Sequence, residues 1–271
     1  MKEIKIGLQV HSVREAFAED PIRTLKRIKE MGYTGVELPM GAITDANEGL
    51  TSESAEFYKK ALEDNGLECY GILTSWDAVQ PDKFEKTIAF NNALGSPFLV
   101  IGSVPTKLVK TIEAVKESID YMKEIQKKIN SYGVVTGYHN HDSDFFHVIE
   151  GKTYFEHVFD NTPEDFVMLL DTGNAKAGGY DSIDLLQKYP HRSPFLHIKG
   201  YSEKEGYLAW IGRDDFDWQA VCECALTVGN SVVFDVEFGK RADYDPFERA
   251  QDAYRVIHGI LQEKSKTINK E

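Results

Sequence analysis

Two acids and an imidazole stand at the ends of apolar runs. Met168-Leu169-Leu170 runs into Asp171, which is followed by Thr172, Gly173 and Asn174. Phe195-Leu196 leads to His197, Ile198 and Lys199, and Val232-Val233-Phe234-Asp235-Val236 leads to Glu237. A carboxylate at the end of a buried strand needs a partner, because an unpaired buried charge is expensive. If they converge, Asp171, His197 and Glu237 form a mixed nitrogen and oxygen site suited to a divalent metal. Each also has a plainer role: Asp171 capping a turn, His197 as a satisfied core histidine, Glu237 paired with Lys240 or Arg241. Neighbouring strands lie about 4.8 Å apart, so three consecutive strand ends with different ligand types favour a shared ion.

A fourth ligand should come from the stretch Tyr138-His139-Asn140-His141-Asp142. His139 and His141 have the same side-chain parity while a strand lasts, and Asp144 follows in the loop. His139 is favoured, with His141 and Asp144 as the alternatives. Carboxylates and imidazoles without thiolates suit manganese, magnesium, zinc or cobalt alike.

Positioning these groups requires a repeat, and the chain supplies one. Ile4 to Val10 reads as a strand, and Asp20-Pro21 caps a helix carrying Ile22, Leu25, Ile28 and Met31 at helical spacing. Strands follow at Thr34 to Leu38, Leu67 to Leu73, Phe98 to Ile101, Val134 to His139, Phe166 to Asp171, Phe195 to Lys199 and Val232 to Glu237. Amphipathic helices separate them, the longest expected over Leu108 to Ile129, and Asp245-Pro246 caps the last. Gly32, Gly66, Gly95, Gly133 and Gly229 stand where helices stop. Alternating strand and helix argues for parallel pairing with crossover helices. Eight units predict a (β/α)8 barrel, read as a single domain over residues 1–271. An open doubly wound sheet is the alternative, but Gly7-Leu8-Gln9-Val10-His11 is not the glycine-rich turn of a nucleotide-binding version. In a barrel the strand C-termini share one face. Gln9, His11, Glu37, Thr74, Ser75 and Trp76 fall there with the ligand candidates, and the segment 200–217 reads as a lid or substrate loop.

Bulk composition narrows the function classes. The chain has 271 residues, is 42% hydrophobic and 28% charged, and carries a net charge of −13. That charge and the lack of a basic cluster argue against nucleic acid or an anionic membrane as partner. No apolar run approaches the roughly 20 residues that span a bilayer. The start reads directly as a strand and lacks the apolar core of a signal peptide. Cys69, Cys222 and Cys224, an odd set, read as reduced packing residues. A cytoplasmic location fits best, and a homo-oligomer is left open.

Gly7-Leu8-Gln9, Gly35-Val36-Glu37-Leu38, Tyr138-His139-Asn140-His141-Asp142, Leu170-Asp171-Thr172-Gly173-Asn174, His197-Ile198-Lys199 and Val236-Glu237 together resemble the sugar phosphate isomerase/epimerase group. This is the xylose isomerase-like barrel superfamily, which includes tagatose epimerases, inosose dehydratase and an apurinic endonuclease branch. The resemblance runs in order along the chain, and it implies a metal held by His139, Asp171, His197 and Glu237. In the epimerases a glutamate is common where His139 stands here, and that departure questions a symmetric two-glutamate proton exchange. Asn174 stands where many relatives have a second histidine, and Thr74 and Ser75 lie near where others have a third. The endonuclease branch needs those histidines, so DNA repair is discounted.

The implied chemistry is proton abstraction next to a carbonyl of a monosaccharide, keto-sugar or derivative. Glu237, or His139 or His141 if unligated, can move the proton as general base. Reprotonation at the neighbouring carbon gives isomerisation, and reprotonation on the other face gives epimerisation. Loss of a β-oxygen gives dehydration or elimination of a 3-oxo-glycoside. A non-catalytic sugar-binding relative is the remaining alternative. His141, Asn174, Lys199, Glu37, Trp76 and Arg213 are expected to touch substrate, with Trp210 and Phe145 as further aromatic faces.

Overall fold

The structure, a computed structural model, describes residues 3–41, 50–239 and 244–268. Its centre is a closed barrel of eight parallel strands. These are β1 (Lys5–Gln9), β2 (Gly35–Pro39), β3 (Glu68–Thr74), β4 (Phe98–Ile101), β5 (Val135–His139), β6 (Val167–Asp171), β7 (Phe195–Lys199) and β8 (Val233–Glu237). β1 pairs with both β2 and β8, so the sheet has no edge and the open doubly wound alternative is excluded. A two-residue hairpin, Val148–Ile149 with Lys152–Thr153, decorates the connection after β5.

Helices pack around the strands wherever an apolar stripe recurs at helical spacing. In the helix Ile112–Asn130 the buried face is Val115, Ile119, Met122, Ile125 and Ile129, and Thr111 accepts from the Ala114 N–H as its cap. Leu108, expected within this helix, sits in a separate 3-10 turn, because the capping threonine starts the helix after it. The last helix, Pro246–Ile268, is longer, 23 residues against 19. Gly32, Gly66, Gly95 and Gly133 end helices at positive φ as expected, whereas after Ala225–Gly229 it is Asn230 that turns left-handed. The three cysteines are free.

A second, smaller core fills the lower barrel interior: Tyr70, Val100, Val167, Leu169, Phe195 and Val233. Tyr70 enters it through a register shift, in which Val36 faces Cys69 but Glu37 faces Gly71. Its hydroxyl donates to Thr34 Oγ1 at 2.6 Å. The ring lies where a Cβ on Gly7 would come to 2.8 Å, and the same Cβ would meet Asp235 Oδ1 at 2.1 Å. Only glycine on β1 leaves space for both side chains.

The expected lid, 200–217, contains no regular strand or helix beyond a Ser202–Gly206 bridge. It is tied down all the same. Buried Arg249 of the last helix donates to the carbonyls of Tyr207, Ala209 and Gly239 at 3.1, 2.6 and 3.0 Å.

Candidate metal and acid-base site

β5, β6, β7 and β8 bring one ligand atom each from His139, Asp171, His197 and Glu237 to within 4.8 Å of one another, all buried. The local sequence explains how. Asp171 caps the short helix Thr172–Ala177, its Oδ1 accepting from the Asn174 N–H at 2.8 Å. That leaves Oδ2 pointing inward, 3.4 Å from His139 Nε2. The capping role and the site role therefore belong to different oxygens of one carboxylate.

The residues after Asp171 lock its neighbours. Thr172 Oγ1 accepts from the Lys199 N–H at 2.9 Å, stitching β6 to β7. Gly173 has no side chain because a Cβ there would meet Lys199 Cγ at 2.8 Å. Asn174 donates its amide to the Asn140 carbonyl at 2.9 Å, and Asn140 clamps the Asp171 backbone from both sides at 2.8 and 3.2 Å. Asn174 thus braces β6 against β5 from a buried position, instead of the substrate contact expected of it.

His197 is held between two carboxylates, Nε2 at 3.0 Å from Glu37 Oε2 and Nδ1 at 3.0 Å from Glu237 Oε2. A metal-ligating imidazole characteristically has its other nitrogen fixed by a carboxylate, and Glu37 supplies that. Fully buried beneath His197, Glu37 is placed away from the cavity where substrate contact was expected. Asp235, also fully buried, joins Glu37 and His197 in a second cluster. Lys199 Nζ bridges Asp171 Oδ2 at 3.2 Å and Glu237 Oε1 at 2.9 Å, with its side chain 12% exposed.

Electrostatics follow from this crowding. Burial alone would raise the Asp171 and Glu237 carboxyls, but the Lys199 ammonium and the facing imidazoles draw Asp171 below, and Glu237 well below, the usual range. Burial would lower His197, yet Glu37 and Glu237 overcompensate and hold it well above its usual value. Metal ligation at Nδ1 would take that proton off. Burial first, and then the nearby Glu37, push the Asp235 carboxyl well above the usual carboxylate range. Burial and the neighbouring His139 lower His141 to about 4, so its ring is uncharged at neutral pH. Asp144 rises to about 6 through burial, while its Oδ2 accepts from the His141 N–H and the Tyr138 hydroxyl at 2.9 and 3.0 Å. Spent on the backbone and Tyr138, it lies outside the four-residue ligand group.

A cavity of about 650 Å³ opens above β1–β5, and Gln9, His11, Thr74, His139, His141 and Glu237 line it. Asp171 and His197 lie outside its lining. Trp76 is also absent from it, because its ring packs on Tyr121 at 5.1 Å. Arg213 points outward, its side chain 74% exposed, stacked on Trp210 and 3.9 Å from Asp252. Phe145 packs between Phe155 and Tyr180. Lys240 and Arg241, the alternative partners of Glu237, lie outside the described residues.

Three contributors escaped the sequence reading. Asp235 had a signal, since it shares strand parity with Glu237. Asn140 stands between two histidines that the reading had singled out. Tyr207 had none, yet Lys199 Nζ is 5.3 Å from its ring centre, and burial and nearby Asp142 raise its hydroxyl pKa.

The barrel agrees with comparisons to known proteins. The family described as xylose isomerase-like TIM barrel matches residues 25–258. An inosose dehydratase of Geobacillus kaustophilus is 29% identical over 126 residues, 44% of this chain and 39% of that one. An inosose dehydratase of Clostridium perfringens is 26% identical over 206 residues, 67% of each chain. Among solved structures, a sugar phosphate isomerase/epimerase of Parabacteroides distasonis superposes with a TM-score of 0.78 at 21% identity, covering 96% of both chains. The chain belongs to the xylose isomerase-like TIM barrel family.

Proposed function

We propose that this chain is a divalent-metal-dependent sugar isomerase or epimerase that moves a proton next to a carbonyl of a monosaccharide, keto-sugar or derivative. One observation carries the reading. Of the four clustered ligand residues, only Glu237 and His139 also line the cavity, while Asp171 and His197 stay behind them. Groups that only hold are thereby separated from groups that can also touch substrate.

The donor set fits a dication. His139 Nε2, Asp171 Oδ2, His197 Nδ1 and Glu237 Oε2 are buried without a well-aligned hydrogen-bond partner. Four buried acids, Glu37, Asp171, Asp235 and Glu237, crowd this centre around the Lys199 ammonium. A divalent ion would offset buried negative charge that is costly when left unbalanced. Manganese suits the set best, with magnesium, zinc and cobalt as the other choices. Bound there, such an ion would stabilise negative charge on the carbonyl oxygen as it develops.

The chain's own residues do the rest. Glu237, kept ionised by Lys199 and His197, is the base that takes the proton. His139 flanks the same space, and uncharged His141, its ring 5.0 Å away, offers a nitrogen to a substrate hydroxyl. Glu37 keeps His197 oriented from below. An imidazole where the second acid of a symmetric exchange would stand also supports a second reading, a lyase on an oxidised sugar. There His139 would protonate a departing β-oxygen, as in a dehydration or a 3-oxo-glycoside elimination. The partial likeness to inosose dehydratases supports the same alternative.

The test is a panel of monosaccharides, keto-sugars and inososes with manganese in deuterated water. Exchange of a carbon-bound proton that Glu237→Gln abolishes supports the proposal, and an unsaturated product moves it to the lyase reading. Absence of exchange and product across the panel, with metal bound, would point to a binding protein that has lost catalysis.

A further inference from the structure

Asp171 turns one oxygen to the cluster. Its Oδ1 accepts from the Asn174 N–H at 2.8 Å, and Oδ2, buried without a well-aligned hydrogen-bond partner, is the oxygen an ion there would meet first. Lys199 Nζ is already on that oxygen at 3.2 Å and on Glu237 Oε1 at 2.9 Å. The ammonium is aimed there by its surroundings. Thr172 Oγ1 accepts from the Lys199 N–H, Gly173 leaves room for the Lys199 stem, and the Tyr207 ring lies over Nζ at 5.3 Å.

Two cations cannot share these carboxylates cheaply. Metal–oxygen bonds are about 2.0–2.2 Å long, which would set an ion on Oδ2 close to the ammonium. In a desolvated cluster that repulsion is several times stronger than in water. Without Lys199 the two acids would face each other with no fixed positive charge between them, which is also costly.

We propose that Lys199 is a built-in counter-ion that contends with the divalent ion for Asp171 and Glu237. It holds the two carboxylates in place, weakens the ion's affinity, and moves off them when the ion binds. This rests on the metal-site reading above, and the test separates the two. Manganese binding is measured by titration calorimetry on wild type, Lys199→Met and Lys199→Arg, with thermal melts in chelator and in manganese.

Removing the charge is expected to tighten manganese binding at least tenfold, whereas the arginine variant stays at or below wild-type affinity. In chelator Lys199→Met should melt below wild type, and manganese should raise its melting temperature by more. A purely structural lysine would not reverse the order of metal affinities. Should the methionine variant fail to fold, Lys199→Gln gives the same comparison with one donor retained. Equal or weaker binding by the neutral variant overturns the proposal and leaves the metal reading standing. Binding by the neutral variant alone supports it and overturns metal dependence of the wild type. Binding by neither overturns both.

Discussion

The barrel interior has two halves built from the same strands. At the lower level β6, β7 and β8 contribute Val167 with Leu169, Phe195 and Val233, a dry apolar plug completed by Tyr70 and Val100. One inward position further along, the same strands present Asp171, His197 and Asp235, then Lys199 and Glu237. The side-chain period of two puts both sets on one face of each strand. What differs is the currency of stability. Each fully buried large apolar side chain in the plug contributes about 1.5–3 kcal/mol. The upper half holds charges whose desolvation offsets most of their attraction. The plug fixes the strand ends so that the charged half need not be stable by itself.

Substitutions should divide accordingly. The largest effect is expected from Asp171→Ala, which removes a proposed ligand and one partner of Lys199. Sugar-proton exchange should fall by on the order of 10³-fold or more, and calorimetry should show metal binding lost. Retention of both metal and exchange in this variant would break the assignment of the upper half. Leu169→Ala, two residues earlier on the same strand, should cost about 2–5 kcal/mol of stability. Denaturant melts would show that loss, while exchange per folded molecule stays within a few fold. A Leu169 variant of normal stability and poor activity would erase the division.

The loop 200–217 sharpens the contrast from outside the barrel. Arg249 is buried and gives three charge-assisted bonds to carbonyls of Tyr207, Ala209 and Gly239. Arg249→Leu should cost roughly 2–4 kcal/mol. Hydrogen exchange should speed up at amides 201–217 while the strands of the plug remain protected. Uniform loss of protection through the barrel would mean that the loop and the plug unfold as one unit.

Much of this was legible in the sequence for a physical reason. Eight strand-helix units are written in local periodicity, and His139, Asp171, His197 and Glu237 stand out because acids and imidazoles interrupt apolar runs at strand ends. Contacts across the sequence were not legible. Lys199 read as a substrate contact because nothing local says that Asp171 and Glu237 flank it. Glu37 reads as lying near the end of its strand, much as Glu237 does, but the register shift at Tyr70 and its place under His197 appear only once the barrel closes. Arg213 and Trp76 carry suitable chemistry on the suitable face, yet Asp252 and Tyr121 take them elsewhere. Spacing reveals which end of a strand a residue occupies, and packing decides what it touches there.

The smallest effect belongs to an acid of the loop 200–217 that has no cation beside it among the described residues. Asp214 lies over the backbone of Gly200, just past β7, and accepts from Trp218 Nε1 at 2.9 and 3.1 Å. Burial raises its carboxyl to about 6 from the ordinary 3.8, although the Trp218 and Phe216 N–H groups pull the other way. Because the folded value lies above the unfolded one, the folded chain binds more protons between about pH 4 and 6. Its contribution to stability is therefore greatest below about pH 4, falls as pH rises through that window, and remains a penalty above it. The full shift would correspond to about 3 kcal/mol, and partial exposure of the group reduces this to roughly 1–2 kcal/mol. Asp214→Asn keeps an acceptor for Trp218 and removes the charge, so it should be more stable than wild type at pH 7 by about that amount. The difference between the two proteins should shrink steadily toward pH 4, as measured by urea unfolding at a series of pH values. A gap that stays constant with pH would mean that the Asp214 carboxyl has the same pKa folded and unfolded, and a gap that reverses in favour of wild type at pH 7 would mean that the loop, like the upper barrel, balances its buried acid with positive charge.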